Sequence, residues 1–112
     1  MLMFKKAQEM IPYHNMQGKV GYVYILSNYR RNVIYIGVTN DLIQRVWKHK
    51  KGKGAKFSTK YNLKHLVYFE KYPNINEAIA REKKLKNWHR EWKMNLIRKE
   101  NPNLEDLWPK II

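Results

Sequence analysis

The sequence predicts an α+β domain with a small three-stranded antiparallel sheet flanked by helices, in the order β-β-α-β-α-α. Two neighbouring segments rich in Val, Ile and Tyr are separated only by a short polar stretch, as in a β-hairpin. A third segment of this kind ends at Pro73, and the remaining segments combine capping residues with helical spacing of apolar positions. The 112 residues suit one hydrophobic core.

The first two strands are expected at 21–28 (GYVYILSN) and 33–38 (VIYIGV). Polar residues between them form the hairpin loop. A loop centred between positions 29 and 30 places Tyr24 directly opposite Tyr35, so that both tyrosines lie on one face of the sheet.

A cluster of helix-capping residues precedes the first helix. Asp41, with Gln44 three positions later, resembles a capping box and predicts a helix over 42–51, anchored by Val46 and Trp47. Two glycines then end the helix. We expect 51–60 to be a basic loop that leads into a strand, without a helix N-terminus.

The third strand is expected at 64–72, and Asn74 with Glu77 forms a second capping box at the start of a helix over 75–87. Another helix follows over 89–100 and stops at Asn101-Pro102. Three apolar residues near the C-terminus are expected to fold back onto the core: Leu104, Leu107 and Trp108.

The chain divides into an expected flexible extension at 1–18 and a single domain at 19–112. Its N-terminus lacks the apolar segment of a signal peptide, and no apolar run approaches the length of a membrane span, so we expect a cytoplasmic protein without a membrane partner. The absence of cysteine excludes disulfides, thiolate zinc sites and a cysteine nucleophile.

The charge is strongly positive and unevenly distributed. The formal net charge is +14, and residues 45–99 contain 17 Lys or Arg but only 4 acidic residues. Such a segment favours a polyanionic partner, with nucleic acid first and an anionic membrane second. No amphipathic element pairs this charge with an apolar face, which disfavours the membrane. The alternative is a basic face that only aids solubility.

Glu82 is unusual because it lies on the apolar stripe of its helix, between Ile79 and Leu85. The expected solvent face carries Arg81, Lys83, Lys84 and Lys86. An inward carboxylate has to be paired, coordinated or catalytic, since burying a lone charge is costly. The alternative is a structural salt bridge to an inward arginine.

Arg45 and His49 lie one turn apart on one helical face. Arginine can hold a phosphate with two hydrogen bonds, and histidine can exchange a proton near neutral pH. Both could equally be solvated surface groups.

Tyr24 and Tyr35, in the predicted strands, are compatible with a site or with packing alone. Gly37 within a strand indicates a close approach of backbone or ligand.

Together these segments resemble the GIY-YIG nuclease superfamily. The resemblance rests on Tyr22-Val23-Tyr24, Tyr35-Ile36-Gly37, TNDLIQRVWKH at 39–49, GKGAK at 52–56 and AREKKLK at 80–86. It extends from about residue 21 to residue 97. It is strongest to small, stand-alone bacterial (UPF0213-like) proteins, which are related to the N-terminal nuclease domain of the bacterial ABC excinuclease.

The resemblance implies a metal-dependent endonuclease of low sequence specificity that hydrolyses phosphodiester bonds in DNA, with RNA as a second substrate class, in DNA repair or processing. Five residues would form its catalytic site: Tyr24, Tyr35, Arg45, His49 and Glu82. Glu82 would bind Mg²⁺ or Mn²⁺, Arg45 would stabilise the phosphate, and a tyrosine or His49 would be the general base.

Nucleic acid would be bound by lysines of the basic segment: Lys51, Lys53, Lys56, Lys60, Lys83 and Lys86. The pattern departs from the superfamily at Tyr22, where a glycine is usual, and at Val38, where some members have a lysine. Either Asn87 or Asn95 could take part in the site. The alternatives are a catalytically weak nucleic-acid-binding module with this fold and a structural protein of a ribonucleoprotein particle.

Overall fold

Three antiparallel strands form the sheet in the computed structural model, which describes residues 20–112. They are β1 (Gly21–Ser27), β2 (Ile34–Thr39) and β3 (His65–Tyr72), in the spatial order β2-β1-β3. The helices are α1 (Leu42–Lys50), α2 (Lys56–Lys60), α3 (Ile75–Asn87), α4 (Arg90–Glu100) and α5 (Trp108–Ile111). The predicted fold class is confirmed. The extension expected at 1–18 lies outside the described residues.

The segment expected to be only a basic loop contains α2, so that prediction was wrong for residues 56–60. This helix has no side-chain cap and only five residues, too few to be stable alone. Tertiary packing holds it, because Ser58 and Leu63 are buried and the Leu63 amide donates to the Ser58 carbonyl over 2.8 Å.

The hairpin register differs by two residues from the predicted one. Tyr24 pairs with Gly37, and Tyr35 pairs with Leu26. The loop is longer than expected because the Asn28 side chain accepts hydrogen bonds from the amides of residues 32 and 33, and Arg31 adopts a positive φ of 62°. A shift of two residues preserves the face of every side chain, so Tyr24 and Tyr35 still share one side of the sheet.

The core lies between the sheet and the helices, and α3 packs against all three strands. Ala78 and Leu85 are the fully buried positions of α3. Helix α1 is capped by Asp41, which accepts from the Gln44 amide as expected. Val46 anchors α1 in the core, whereas Trp47 is half exposed, contrary to expectation. None of the helices in residues 20–112 is long and apolar enough to cross a membrane.

An ion pair fixes α3 to β3. Arg81, expected on the solvent face, instead donates two 3.0 Å hydrogen bonds to Glu70. Tyr68 and Tyr72 also donate to this carboxylate. Burial alone would raise the pKa of Glu70, but these hydrogen bonds hold it below its usual value. The carboxylate therefore remains ionised, and the long Arg81 side chain reaches inward to it.

The C-terminal segment folds back onto the core, as expected from its apolar residues, and it also covers the outer edge of β3. Leu104 and Leu107 are buried, and the Leu107 amide donates to the Leu66 carbonyl over 2.7 Å. Asp106 accepts from the Leu66 amide and from Lys50 of α1. These contacts satisfy backbone groups that an edge strand would otherwise expose.

Candidate active site

Two tyrosines and a histidine meet where β1, β2 and α1 converge. The ring centres of Tyr24 and Tyr35 are 6.2 Å apart, and each lies 5.7 Å from the ring of His49. Tyr24 is 1% exposed and His49 is 3% exposed, whereas Tyr35 is half-buried. The cluster therefore has a buried interior and one ring near solvent.

Two glycines make room for the buried rings. A Cβ atom at Gly37 would lie 2.5 Å from both Cζ and Oη of Tyr24, and one at Gly54 would lie 2.2 Å from Nδ1 of His49. Both distances are far below van der Waals contact. A group does approach Gly37 closely, but it is the Tyr24 side chain and not the backbone or ligand that the sequence predicted.

A series of short hydrogen bonds runs through the buried part of the cluster. Tyr24 Oη lies 3.0 Å from His49 Nε2, and His49 Nδ1 lies 2.8 Å from Ser58 Oγ. The Ser58 hydroxyl donates to the Ala55 carbonyl over 3.0 Å. Sequence reasoning missed Ser58, because a single serine in a lysine-rich segment carries no pattern that marks it as part of a site.

The electrostatics of the cluster extend to the other two predicted residues. Burial, together with the charge of Arg45, lowers the pKa of His49 to about 4, so the imidazole is neutral at pH 7. Burial raises the pKa of Tyr24 strongly, and Tyr35, Arg45 and Glu82 all act on it. Tyr24, Tyr35 and His49 are in ring contact, whereas Arg45 and Glu82 are linked to the cluster by their charges.

Arg45 lies on the exposed side of the cluster, one turn before His49 on α1. Its side chain lines a polar cleft of about 100 Å³. The other lining residues are Thr39, Asn40, Asp41, Gln44 and Lys48. Arg45 and Lys48 offer positive charge to a phosphate group in this cleft, beside the carboxylate of Asp41, and the rings of Tyr24, Tyr35 and His49 do not line it.

Glu82 faces inward from α3, with a side chain only 14% exposed. Its carboxylate lies 3.1 Å from the ammonium of Lys86, which is 51% exposed. Within residues 20–112, no group of three or more acidic or histidine side chains could cage a metal ion. A single carboxylate nevertheless fits Mg²⁺, which commonly takes one or two protein ligands and completes its shell with water and substrate phosphate.

The predicted nucleic-acid-binding lysines fall into two groups. Lys51, Lys53, Lys56 and Lys60 lie on and beside α2, and Lys83 and Lys86 lie on α3. Asn87 and Asn95 are exposed and lie on α3 and α4.

Exposed aromatic rings lie among the lysines of α2, at positions for which the sequence predicted no role. The ring of Phe57 stacks on Tyr35 at a centroid distance of 6.4 Å and lies 4.8 Å from that of Tyr61. Phe57 and Tyr61 are both exposed. An aromatic, basic surface therefore continues outward from the Tyr35 side of the cluster.

Comparisons with known proteins identify the family of this chain. The family profile of the GIY-YIG catalytic domain matches residues 20–95. A UPF0213 protein from Pediococcus pentosaceus is 32% identical over 87 residues, which cover 78% of this chain and 92% of that protein. A UPF0213 protein from Staphylococcus aureus is 40% identical over 65 residues, which cover 58% of this chain and 79% of that protein.

A solved structure is similar as well. The solution NMR structure of the UPF0213 protein BH0048 from Bacillus halodurans matches with a TM-score of 0.51 at 32% identity. The match covers 78% of this chain and 92% of that chain. The chain therefore belongs to the GIY-YIG domain family, as one of its small UPF0213 members.

Proposed function

We propose that this protein is a metal-dependent endonuclease that hydrolyses phosphodiester bonds in DNA with low sequence specificity. The observation that carries the proposal is the 3.0 Å hydrogen bond between Tyr24 and a neutral, buried His49, beside Arg45 and Glu82. Phosphodiester hydrolysis needs a proton acceptor for the attacking water, positive charge at the phosphate and stabilisation of the leaving oxygen. These residue types supply all three.

Tyr24 and His49 act together as the general base. The neutral imidazole accepts the Tyr24 proton at Nε2 while Tyr24 Oη takes a proton from the water, so the water oxygen can bond to phosphorus as the leaving P–O bond breaks. The low pKa of His49 keeps the imidazole unprotonated at pH 7. Tyr35, whose ring faces both partners, orients the water or the phosphate.

Arg45 and Glu82 provide the charges at the phosphate. Arg45 donates to phosphate oxygens from the polar cleft and offsets the charge of the pentacovalent centre. Glu82 would hold the metal, and a bound Mg²⁺ or Mn²⁺ would supply Lewis-acid polarisation of a phosphate oxygen and stabilisation of the leaving oxygen. The lysines beside α2 contact the DNA backbone, which fixes its position without reading its sequence.

A second candidate function is a catalytically weak nucleic-acid-binding module. Exposed Phe57 and Tyr61, surrounded by lysines, form a surface on which bases can stack, and binding of that kind needs no catalysis. This surface serves the nuclease and the module equally, so only an assay of cleavage separates the two functions.

A plasmid-nicking assay with Mg²⁺ or Mn²⁺ tests the proposal. We expect the wild-type protein to nick the plasmid, and we expect EDTA or Glu82→Ala to abolish nicking while DNA binding persists. Glu77→Ala, which removes an exposed carboxylate from the same helix, is the matched control and is expected to remain active.

The other outcomes are equally informative. Nicking that survives Glu82→Ala would contradict the metal-ligand role. Tight binding without nicking by the wild-type protein, across both metals, would favour the binding module.

A further inference from the structure

The hydrogen bonds behind Tyr24 can be assigned a direction. The Ala55 carbonyl can only accept, so the single hydrogen of the Ser58 hydroxyl is directed to it. Ser58 Oγ then presents a lone pair to His49 Nδ1, 2.8 Å away, and Nδ1 has to donate. With one proton on the neutral ring, Nε2 is unprotonated and accepts from Tyr24 Oη.

The opposite arrangement is less favourable. If Ser58 donated to Nδ1, its oxygen would face the Ala55 carbonyl at 3.0 Å with no hydrogen between them. Nε2 would then carry the proton and would donate to Tyr24. The first arrangement uses three hydrogens in three aligned bonds, and such aligned bonds strengthen one another.

We propose that Ser58 is a positioning residue that fixes the His49 tautomer with its proton on Nδ1, leaving Nε2 as the acceptor for the Tyr24 proton. The catalytic consequence rests on the proposed nuclease function, whereas the tautomer itself does not. Ser58 is not placed against substrate, and it acts through the imidazole.

The surroundings of Ser58 suit this role. Ser58 is buried, and α2 is held in place by the bond from the Leu63 amide to the Ser58 carbonyl. The backbone of Gly54 packs against the Nδ1 edge of the His49 ring, where even a Cβ atom would not fit. Histidine in water favours the tautomer with the proton on Nε2, so a specific partner at Nδ1 is needed to reverse that preference.

Nitrogen-15 NMR of the histidine side chains tests the tautomer directly, using the full chain at pH 7 with His49→Gln to assign the signal. We expect Nδ1 of wild-type His49 to be protonated and Nε2 to be unprotonated. Ser58→Ala should shift the ring toward the Nε2-protonated form. Ser58→Thr keeps the hydroxyl and should keep the wild-type tautomer, and so should Thr59→Ala, which removes the neighbouring exposed hydroxyl.

Kinetics then test the consequence for catalysis. Ser58→Ala is expected to lower kcat by about 10- to 100-fold with KM nearly unchanged, somewhat less than the full contribution of a general base, because part of the population retains the active tautomer. Thr59→Ala should leave kcat unchanged. Thermal unfolding of each variant separates a change of tautomer from a loss of fold.

Two results would overturn the inference. One is a wild-type His49 that carries its proton on Nε2, and this result needs no variant. The other is a Ser58→Ala protein with the wild-type tautomer and the wild-type kcat. If the wild-type protein cleaves no DNA, the proposed function fails, but the comparison of tautomers still decides the role of Ser58.

Discussion

Gly37→Ala is predicted to damage the site from a position that contributes no side chain to it. The added Cβ would lie 2.5 Å from Cζ and Oη of Tyr24 and 2.9 Å from Cε1. Non-bonded carbon atoms prefer separations of about 3.5–4.0 Å, so the ring has to move by about 1 Å. Tyr24 is 1% exposed, which leaves it no free space into which to rotate.

The cost follows from that displacement. A shift of about 1 Å would stretch the 3.0 Å bond to His49 to roughly 4 Å, beyond hydrogen-bonding range. Overpacking costs about 1–3 kcal/mol, and the lost buried hydrogen bond adds about 1 kcal/mol. We therefore expect the free energy of unfolding to fall by about 2–4 kcal/mol and Tm by about 10–20 °C. Nicking should fall by about 100-fold, as misplacements of this size commonly cause.

Thermal unfolding followed by circular dichroism measures the loss of stability. A double-mutant cycle with Tyr24→Leu tests whether contact with the Tyr24 ring causes that loss. The shorter leucine removes the atoms that the new methyl group would meet, so Gly37→Ala should cost less in that background, with a coupling of about 1 kcal/mol or more. Additive effects, or an unchanged Tm for the single variant, would refute the reasoning from close contact.

Salt, an ion pair and pH give three further tests. The log affinity for DNA should fall against log salt with a slope of about −3 to −4 if four lysines contact phosphates, and a fluorescence titration that gives a slope near zero would contradict this. Glu70→Gln leaves Arg81 unpaired, so urea denaturation should show a loss of about 2–3 kcal/mol. Burial lowers the folded-state pKa of His49 to about 4. Below pH 6.5 the unfolded chain therefore binds more protons at this residue than the folded protein does. Stability should therefore fall by about 1.6 kcal/mol from pH 6.5 to 5. Burial also lowers the pKa of His65, which adds to the same slope, so His49→Gln should reduce the slope without removing it.

The faces of the elements could be predicted from the sequence because they depend on periodicity alone. The hairpin register was wrong by two residues, yet Tyr24 and Tyr35 remained on one face, since side chains alternate with a period of two. Likewise, helical spacing placed Glu82 inward and put Arg45 and His49 one turn apart. A register error of two residues therefore changes which residues pair but not the face on which each side chain lies.

The contacts that hold the site together could not be predicted in the same way. Helix α2 has five residues and no cap, so neither propensity nor periodicity marks it, and Ser58 reaches His49 only because that helix folds against α1. The position of Arg81 on the helix predicts a solvent-exposed side chain. In the structure the long side chain bends back and binds Glu70. Helical spacing gives the direction in which a side chain leaves the helix but not how far a long one can reach from it.

The sequence left open that Glu82 forms a structural salt bridge to an inward arginine. The surroundings of Glu82 and Glu70 decide against this alternative. The inward arginine is Arg81, and its guanidinium is bound to Glu70, which two tyrosines also contact. Glu82 instead forms its salt bridge with Lys86, whose side chain is 51% exposed. Because the Lys86 side chain is half exposed, its ammonium can move into solvent and leave the largely buried Glu82 carboxylate to a divalent cation. Of these two carboxylates, Glu70 is committed to the fold and Glu82 has the exchangeable partner that the proposed metal site requires.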